Sequence, residues 1–499
     1  MNSSILTYLA VLIALTSFSQ ENHIAPFTDT SITTEHTTQI QGKSIQYKAE
    51  IGNQPVWNKE GAPIATLNYT YYQRTNDKNS KQRPLLISFN GGPGSASVWM
   101  HMAYSGPKLL HIDKEGFPVQ PYGIKDNPHS VLDVADILFV NPVNTGFSRT
   151  IPMSGKEVDR DQFFGINADI SYLAEWLNTF VSRHDRWRSP KYLIGESYGG
   201  TRVAGLALAL QEQQWMYLNG VIMVSPADYK VFNSDTPISA AVKFPYYCAT
   251  AKYYELLNSK YQEKALEPFL AAVEQFTIDE LIPALARGAH LSNEKKQTIA
   301  KKMAGYCGLS AEEILSYNLA IPENYFWKSI VRDEHEKTVG RLDSRYLGID
   351  KTLGGDRPDY NAELSSWLHS FTPAINYYLR EELGFKTDLK YNMFGNVHPW
   401  DRRNNNTRDN LRKAMAQNPY LNVLYQAGYY DGATTYFNTK YSMWQLDPSG
   451  VMKDRLQFKG YESGHMMYLR DEDLAQATKD LRTFILSTIN SGKAATYRK

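Results

Sequence analysis

Residues 191–200, with the sequence KYLIGESYGG, constrain the fold of this chain more than any other stretch. Their first four residues form an apolar run of strand type, and a helix-like run follows at residues 201–210. Between the two lies the pattern G-x-S-x-G, which in this context is typical of a nucleophile elbow, a strained turn that holds a serine, here Ser197, at the edge of a sheet. Gly195 and Gly199 allow the strand and the helix to approach closely. An ordinary glycine-rich turn is the alternative, so the surrounding chain has to support the elbow.

The whole chain has the composition of a globular protein. It has 499 residues, of which 42% are hydrophobic and 21% charged, enough to form a large core. This length is compatible with two or more domains, or with one large domain that carries an insertion. The formal net charge is +1 and the basic residues are scattered, which argues against a nucleic-acid-binding surface.

Strand and helix patterns alternate along most of the chain. The predicted strands are residues 44–50, 62–72, 84–89, 137–140, 191–194, 220–224, 421–426 and 456–458, and the predicted helices among them are residues 164–180, 201–210 and 471–490. This alternation predicts an α/β fold with a mostly parallel central sheet and helices on both faces, formed by residues 43–234 and 385–499. Residues 20–42 are polar and rich in threonine, and we expect an N-terminal arm with little structure there.

Residues 235–384 interrupt this alternation, because helical patterns dominate them. The segment is too long for a connecting loop, so we interpret it as a mainly helical cap inserted above the sheet. It contains the two cysteines of the chain, Cys248 and Cys307, for which one disulfide or two buried free thiols are equally compatible with the sequence. Neither cysteine has a metal-ligand spacing, and we expect no metal and no other cofactor.

A second glycine-rich loop, NGGPG at residues 90–94, follows the strand predicted at residues 84–89. Adjacent glycines expose backbone N–H groups and admit unusual dihedral angles. The α/β-hydrolase fold requires a second oxyanion donor from the loop after an early strand, and this loop has the required position in the chain. A plain glycine–proline turn is the alternative, and the presence of the Ser197 elbow favours the oxyanion loop.

A serine nucleophile requires a base, and the base requires a carboxylate that fixes its tautomer. Asp431 and His465 follow Ser197 in the order Ser, Asp, His that is typical of the α/β-hydrolase fold, and each lies in a glycine-containing turn after a predicted strand. His101 is the main rival as the base. Because it precedes Ser197, we interpret it as a helix residue that lines the pocket.

The N-terminus indicates export. Residues 5–15 form an apolar run of the length of a signal-peptide core, and the small residues Ser17 and Ser19 allow cleavage before Gln20, although the run is preceded by no Lys or Arg. We therefore predict a signal peptide at residues 1–19 and a periplasmic or extracellular protein with no stable membrane span after cleavage. An N-terminal membrane anchor is the alternative.

Five segments together make the sequence similar to the serine carboxypeptidase family, and most similar to its bacterial branch. They follow the family's order across most of the chain, at residues 89–97 (FNGGPGSAS), 136–148, 195–199 (GESYG), 428–431 (GYYD) and 462–465 (ESGH). The resemblance implies an α/β-hydrolase fold in which Ser197 is the nucleophile, His465 the base and Asp431 its orienting carboxylate. It also implies that the backbone N–H groups of Gly92 and Tyr198 form the oxyanion hole, and that the helical segment is the family's cap.

In that family a hydrogen-bonded group of side chains holds the free C-terminal carboxylate of the substrate. Asn90 and Glu196 match two members of this group, but Ser88 replaces a family tryptophan and Tyr104 replaces a second family glutamate. A glutamate pair can share one proton and bind a carboxylate best in acid, and the two replacements put this mechanism in doubt here. A buried structural acid beside the elbow is the alternative role for Glu196.

The resemblance implies a serine-type carboxypeptidase that releases C-terminal residues from peptides through an acyl-enzyme. A secreted esterase or acyltransferase with the same triad is one alternative. A non-catalytic binding protein on the hydrolase scaffold is another, and the joint presence of Ser197, Asp431 and His465 argues against it. The side-chain preference, the pH optimum and the oligomeric state do not follow from the sequence.

Overall fold

A computed structural model of the chain describes residues 25, 27–77, 82–152, 158–227, 236–489, 492 and 494. The predicted signal peptide, residues 1–19, lies outside the described residues. The strands are β1 Thr30–Ile40, β2 Lys43–Trp57, β3 Pro63–Arg74, β4 Leu85–Phe89, β5 Lys108–Leu110, β6 Ile124–Asp126, β7 Asp136–Val140, β8 Arg149–Thr150, β9 Lys191–Glu196, β10 Gly220–Val224, β11 Thr338–Val339, β12 Leu347–Gly348, β13 Asn422–Gly428 and β14 Leu456–Tyr461.

Within the described part of the chain, ten of these strands form one sheet. Their order is β1-β2-β3-β7-β4-β9-β10-β13-β14, with β8 beside β3. The six strands from β7 to β14 in this order are parallel, whereas β1, β2 and β3 pair antiparallel at one edge. Because β4, β9, β10 and β13 run parallel, their carboxyl ends, and that of β14, lie at one edge of the sheet, which is where open parallel sheets hold their sites.

β1 corrects the prediction of an N-terminal arm with little structure. It pairs with β2 along its whole length, from Thr30 opposite Asn53 to Ile40 opposite Lys43. It is the outermost strand, and most of its side chains are exposed or partly exposed. β-Branched threonines suit such a half-exposed pleated surface, so this strand forms without the apolar pattern that marks a buried one.

Helices cover both faces of the sheet. They are α1 Trp99–Ala103, α2 Ile166–Arg183, α3 Tyr198–Gln213, α4 Pro237–Ala241, α5 Phe244–Tyr253, α6 Ser259–Gln262, α7 Leu266–Phe276, α8 Ile282–Arg287, α9 Asn293–Cys307, α10 Ala311–Ser316, α11 Glu323–Ser329, α12 Arg332–His335, α13 Ala362–Tyr377, α14 Thr407–Gln417, α15 Tyr436–Trp444 and α16 Asp471–Thr488. Leu86 of β4 belongs to a core with α1 and α16, and its neighbours Leu85 and Ile87 belong to a core with α2, α3 and α14. None of the described helices has the length and apolar content of a membrane span.

Between β10 and α14 the chain leaves the sheet, and residues 236–406 of this excursion are called the insertion below. The insertion contains α4–α13 and the small antiparallel pair β11–β12. Helices α4 to α11 pack in a third apolar core, in which Cys248 and Cys307 are buried free thiols. Helix α13 packs instead in the core that contains α1 and α16. The cap limits at residues 235 and 384 stay a prediction.

Candidate active site

Ser197 lies on a strained turn between β9 and α3. Its φ of 57° is in the left-handed region, which residues other than glycine adopt rarely. The surrounding backbone is close: a Cβ atom on Gly195 would overlap the carbonyl of Gly199, and one on Gly199 would lie 2.6 Å from the carbonyl oxygen of Phe89. Only glycine allows the strand, the helix and the neighbouring strand to meet in this way. The side chain of Ser197 is partly exposed and lines a cavity.

The NGGPG loop lies against this turn. A Cβ atom on Gly91 would lie 2.5 Å from the backbone nitrogen of Tyr198 and 2.9 Å from Cβ of Ser197. Gly92 follows with a φ of 106° and lines the same cavity as Ser197. Tyr198 begins α3, and the first N–H groups of a helix have no partner within the helix. The backbone of Gly92 and that of Tyr198 therefore both lie close to Ser197, at a helix N-terminus that favours negative charge.

Asp431 and His465 form a hydrogen-bonded pair beyond the carboxyl ends of β13 and β14. The Nδ1 atom of His465 is 2.7 Å from Oδ2 of Asp431. The backbone N–H groups of Ala433 and Thr434 donate to Oδ1 of Asp431, and the Thr434 hydroxyl donates to Oδ2 at 2.6 Å. Burial opposes ionisation of Asp431, but the charge and hydrogen bond of His465, together with Thr434, hold its pKa below the ordinary value.

The same interaction acts on the histidine. Burial by itself lowers the pKa of His465, but the Asp431 carboxylate outweighs burial, and the net pKa of His465 is raised. Its backbone is fixed from two sides: the N–H donates to the carbonyl of Leu342 in the insertion at 2.6 Å, and the carbonyl accepts from the Ser225 hydroxyl at 2.9 Å. Both the sheet and the insertion therefore determine the position of this imidazole.

A cavity of about 400 Å³ lies over these residues. Ser197 and His465 line it, together with the aromatic side chains of Trp99, Trp367 and Phe394 and with two arginines, Arg341 and Arg402. Among the described residues there is no group of three or more His, Cys, Asp or Glu side chains suited to a metal ion.

Glu196 is buried, and both of its carboxyl oxygens are hydrogen-bonded. The side-chain amide of Asn90 donates to Oε2, and the hydroxyl of Tyr468 donates to Oε1 at 2.7 Å. Burial raises the pKa of Glu196 to about 7, although His465, Tyr468 and Asn90 oppose this increase. Asn90 is fully buried, and its Oδ1 accepts from the N–H of Met100. Glu196 lines the cavity, and the hydrogen bond from Asn90 holds the Glu196 carboxyl group in place.

Tyr468 was missed in the sequence, where its only signal is its position three residues after His465. Tyr104, which stands in place of a family glutamate, stacks on Tyr468 with ring centroids 4.9 Å apart. Its hydroxyl donates to Oε1 of Gln426 at 2.7 Å. The hydroxyl of Ser88 is buried and has no hydrogen-bond partner among the described residues. The two departures from the family pattern are thus accommodated in the core, and Tyr104 supports the tyrosine that binds Glu196.

The predicted position of His101 in the pocket is wrong. His101 lies on α1, but it is buried and does not line the cavity. Its ring stacks on Phe139 with centroids 4.3 Å apart, and its Nε2 is 2.5 Å from the hydroxyl of Tyr72. Burial lowers the pKa of His101 to about 3, so its imidazole is neutral and packs as part of the core.

A buried ion pair beneath the elbow was also missed. The Arg202 guanidinium in α3 donates to Oδ2 of Asp169 in α2 at 2.7 Å and to the backbone carbonyl of Asn90 at 2.7 Å. Both charged side chains are almost completely buried. The pair joins the elbow helix to the NGGPG loop, and no local sequence pattern indicates it because its members lie on different helices.

Removal of this cation should destabilise the protein. We expect Arg202→Ala to lower the free energy of unfolding by about 3–5 kcal/mol, because the carboxylate of Asp169 would remain buried and uncompensated. Arg188→Ala, at an exposed position, is the matched control and should change it by less than about 0.5 kcal/mol. Denaturant unfolding measures both values, and equal stabilities of the two variants would contradict a structural role for the pair.

The fold and this arrangement of side chains define an α/β-hydrolase with a serine on the elbow and a carboxylate–histidine pair at the carboxyl ends of neighbouring strands. The sequence profile of the serine carboxypeptidase family matches residues 62–478. The chain therefore belongs to the serine carboxypeptidase family, as the sequence motifs predicted.

Curated relatives match a shorter stretch. Serine carboxypeptidase-like 36 from Arabidopsis thaliana is 31% identical over 170 residues, which cover 33% of this chain and 32% of the relative. The retinoid-inducible serine carboxypeptidase from Homo sapiens is 32% identical over 145 residues, 28% of each chain. The match thus spans only about a third of the length of these relatives.

Among solved structures, the chain is similar to Kex1(delta)p, a prohormone-processing carboxypeptidase from Saccharomyces cerevisiae. The two share 16% sequence identity with a TM-score of 0.50, over 90% of this chain and 93% of the other. At this identity the similarity concerns the fold alone. It confirms the predicted α/β-hydrolase fold with a mostly parallel central sheet.

Proposed function

We propose that this protein is a serine carboxypeptidase that releases C-terminal residues from peptides. The observation that carries the proposal is the presence, at one cavity, of Ser197 on its elbow and of His465 with its hydrogen bond to Asp431. Membership of the serine carboxypeptidase family supports peptides as the substrate class. Export to the periplasm or the extracellular space is part of the proposal and depends on residues 1–19.

The proposed reaction proceeds through an acyl-enzyme. His465 takes the proton of the Ser197 hydroxyl through Nε2 as Oγ attacks the carbonyl carbon of the last peptide bond. Asp431 keeps the other imidazole proton on Nδ1 and stabilises the imidazolium. The N–H groups of Gly92 and Tyr198 donate to the oxyanion. His465 then protonates the leaving amine, and water releases the acyl group with His465 again as the base.

Asn90 and Glu196 are the proposed substrate-binding residues, with Glu196 facing the cavity. One observation favours the second candidate, an esterase or acyltransferase. Both oxygens of Glu196 have partners in Asn90 and Tyr468, and within the described part of the chain no second glutamate is hydrogen-bonded to Glu196 to share its proton in the way the family's carboxylate site does. The same triad serves both candidates, so the form of the substrate distinguishes them.

A matched pair of blocked peptides, one with a free C-terminus and one amidated, tests the proposal. We expect mass spectrometry to detect loss of the last residue from the free-carboxylate peptide alone. Hydrolysis of a simple ester with neither peptide cut would instead support the esterase or acyltransferase. A protein that cuts none of the three, and in which a fluorophosphonate does not label Ser197, would be a non-catalytic binding protein.

A further inference from the structure

The catalytic cavity contains more positive than negative charge. Arg341 and Arg402 line it, and among its described lining residues Glu196 is the only carboxylate. Both oxygens of Glu196 already accept hydrogen bonds from within the protein. Burial also raises the pKa of Glu196 to about 7, so its negative charge is largely absent in acid. The cavity is therefore suited to an anionic group of a substrate.

Arg341 is held next to the catalytic pair by backbone hydrogen bonds. Its carbonyl accepts from the N–H of Gly432, which follows Asp431, at 3.0 Å, and the carbonyl of the next residue, Leu342, accepts from the N–H of His465. Besides burial and the nearby carboxylates, the positive charge of Arg341 acts on the pKa of His465. Arg341 also lines the same cavity as Ser197 and His465.

The guanidinium of Arg341 is available to a ligand. It forms no hydrogen bond or ion pair within the described part of the chain, whereas Arg345, four residues later, is paired with Asp343 at 2.6 Å. Arg341 is also exposed at the cavity. A planar guanidinium binds a carboxylate through two parallel hydrogen bonds, which makes such a group a selective receptor for carboxylates.

We propose that Arg341 binds a substrate carboxylate in the catalytic cavity and determines the specificity of the enzyme for it. The carboxylate that we expect is the α-carboxylate of the last residue, with the aromatic side chains of Trp99 and Phe394 next to the apolar parts of the substrate. This inference rests on the proposed acyl transfer by Ser197. Because a guanidinium does not titrate in the working range of enzymes, the preference for a carboxylate should persist above neutral pH.

Three blocked phenylalanine esters that differ only in the leaving group test the inference. The first leaving group is glycolate with a free carboxylate, and the second is its neutral amide. The third leaving group is a hydroxy acid whose α-carboxyl group is an amide and whose side chain has a free carboxylate. All three require the same acyl transfer. The ratios of their kcat/KM values therefore report whether the enzyme recognises a carboxylate, and whether that carboxylate is at the α position or in the side chain. If the wild-type enzyme hydrolyses none of them, the proposed function fails, which is distinct from a failure of the inference.

We expect the wild-type enzyme to prefer the glycolate ester over the amide, and Arg341→Gln to reduce this preference roughly ten- to hundredfold, as the loss of a charged hydrogen bond does. Arg341→Lys should retain part of it, because it keeps the charge but loses the planar fork. Arg188→Gln, at an exposed position outside the cavity, is the control and should leave the ratio near that of the wild type. A loss confined to the third ester would support Arg341 as a receptor for a side-chain carboxylate.

Measurement of the same ratio at pH 5.5, 7 and 8.5 separates Arg341 from Glu196. A protonated Glu196 donates to a carboxylate only below its pKa of about 7, so recognition through Glu196 would disappear as the pH rises through that value. Recognition through Arg341 should persist at pH 8.5 and be lost there in Arg341→Gln. An unchanged ratio in Arg341→Gln, with Arg341→Lys also equal to the wild type, would overturn the inference.

Discussion

Replacement of Ser197 by alanine should lower kcat by about 10⁶-fold on peptides and esters alike, as removal of a serine nucleophile does when the nucleophile and its base act as a unit. The fold should remain intact, because alanine is smaller than serine and the backbone is held by the glycines around the turn. Alanine and serine both carry a Cβ atom, so the left-handed φ of residue 197 should cost the variant about as much as it costs the wild type. Initial rates with purified protein measure the loss.

Two controls make this result specific. Thermal unfolding should differ little between Ser197→Ala and the wild type, and a fluorophosphonate should label the wild type at Ser197 and leave the variant unlabelled. Undiminished turnover in the variant would place the nucleophile elsewhere. A loss of activity accompanied by a large drop in stability would mean that the alanine had disturbed the elbow itself.

Replacement of Asp431 by asparagine should reduce kcat by about 10⁴-fold, with the fold retained. The amide cannot hold the proton of His465 on Nδ1 in the way that the carboxylate does at 2.7 Å, so the imidazole adopts the wrong tautomer for a base. The carboxylate also raises the pKa of His465 against the effect of burial. Its removal should therefore lower that pKa and move the acid limb of kcat/KM to lower pH.

The matched control is Thr434→Val. This change removes the hydroxyl that donates to Asp431 and to the carbonyl of Ser225 and that lies 3.1 Å from Nδ1 of His465, but it leaves the carboxylate and its own contact with His465. It should reduce kcat by only about tenfold, the usual effect of one hydrogen bond to a charged group. Equal losses in Asp431→Asn and Thr434→Val would assign the orienting role to another group, as would a mild effect of Asp431→Asn.

The parts of the fold that could be predicted are those with a local signal. The buried parallel strands are continuous apolar runs, and the elbow at Ser197 combines an unusual backbone with the glycines that permit it. The edge strand β1 has no such signal, because it is polar and depends on pairing with β2. Strand β1 forms because it pairs with β2, and its own composition does not predict a strand.

The residues of the candidate site also differ in whether a local sequence pattern predicts them. Ser197, Asp431 and His465 each follow a strand in a recognisable turn, and their chain order matches a known fold. Tyr468, which binds Glu196 from 272 residues away, and Arg202, which binds Asp169 across two helices, have no local signature. His101 has a plausible position in the chain, but its direction on a five-residue helix places it in the core. Packing between segments that are distant in the chain determines these contacts, and the hydrophobic periodicity of the sequence contains no information on such packing.

The hydrogen bond from the His465 N–H to the carbonyl of Leu342 joins the proposed catalytic base to the insertion. The turn at Gly464 packs on the same carbonyl, where a Cβ atom would lie 2.6 Å from the oxygen. A displacement of this part of the insertion would break the bond and shift the imidazole, so the position of the proposed base depends on how the insertion packs on the sheet.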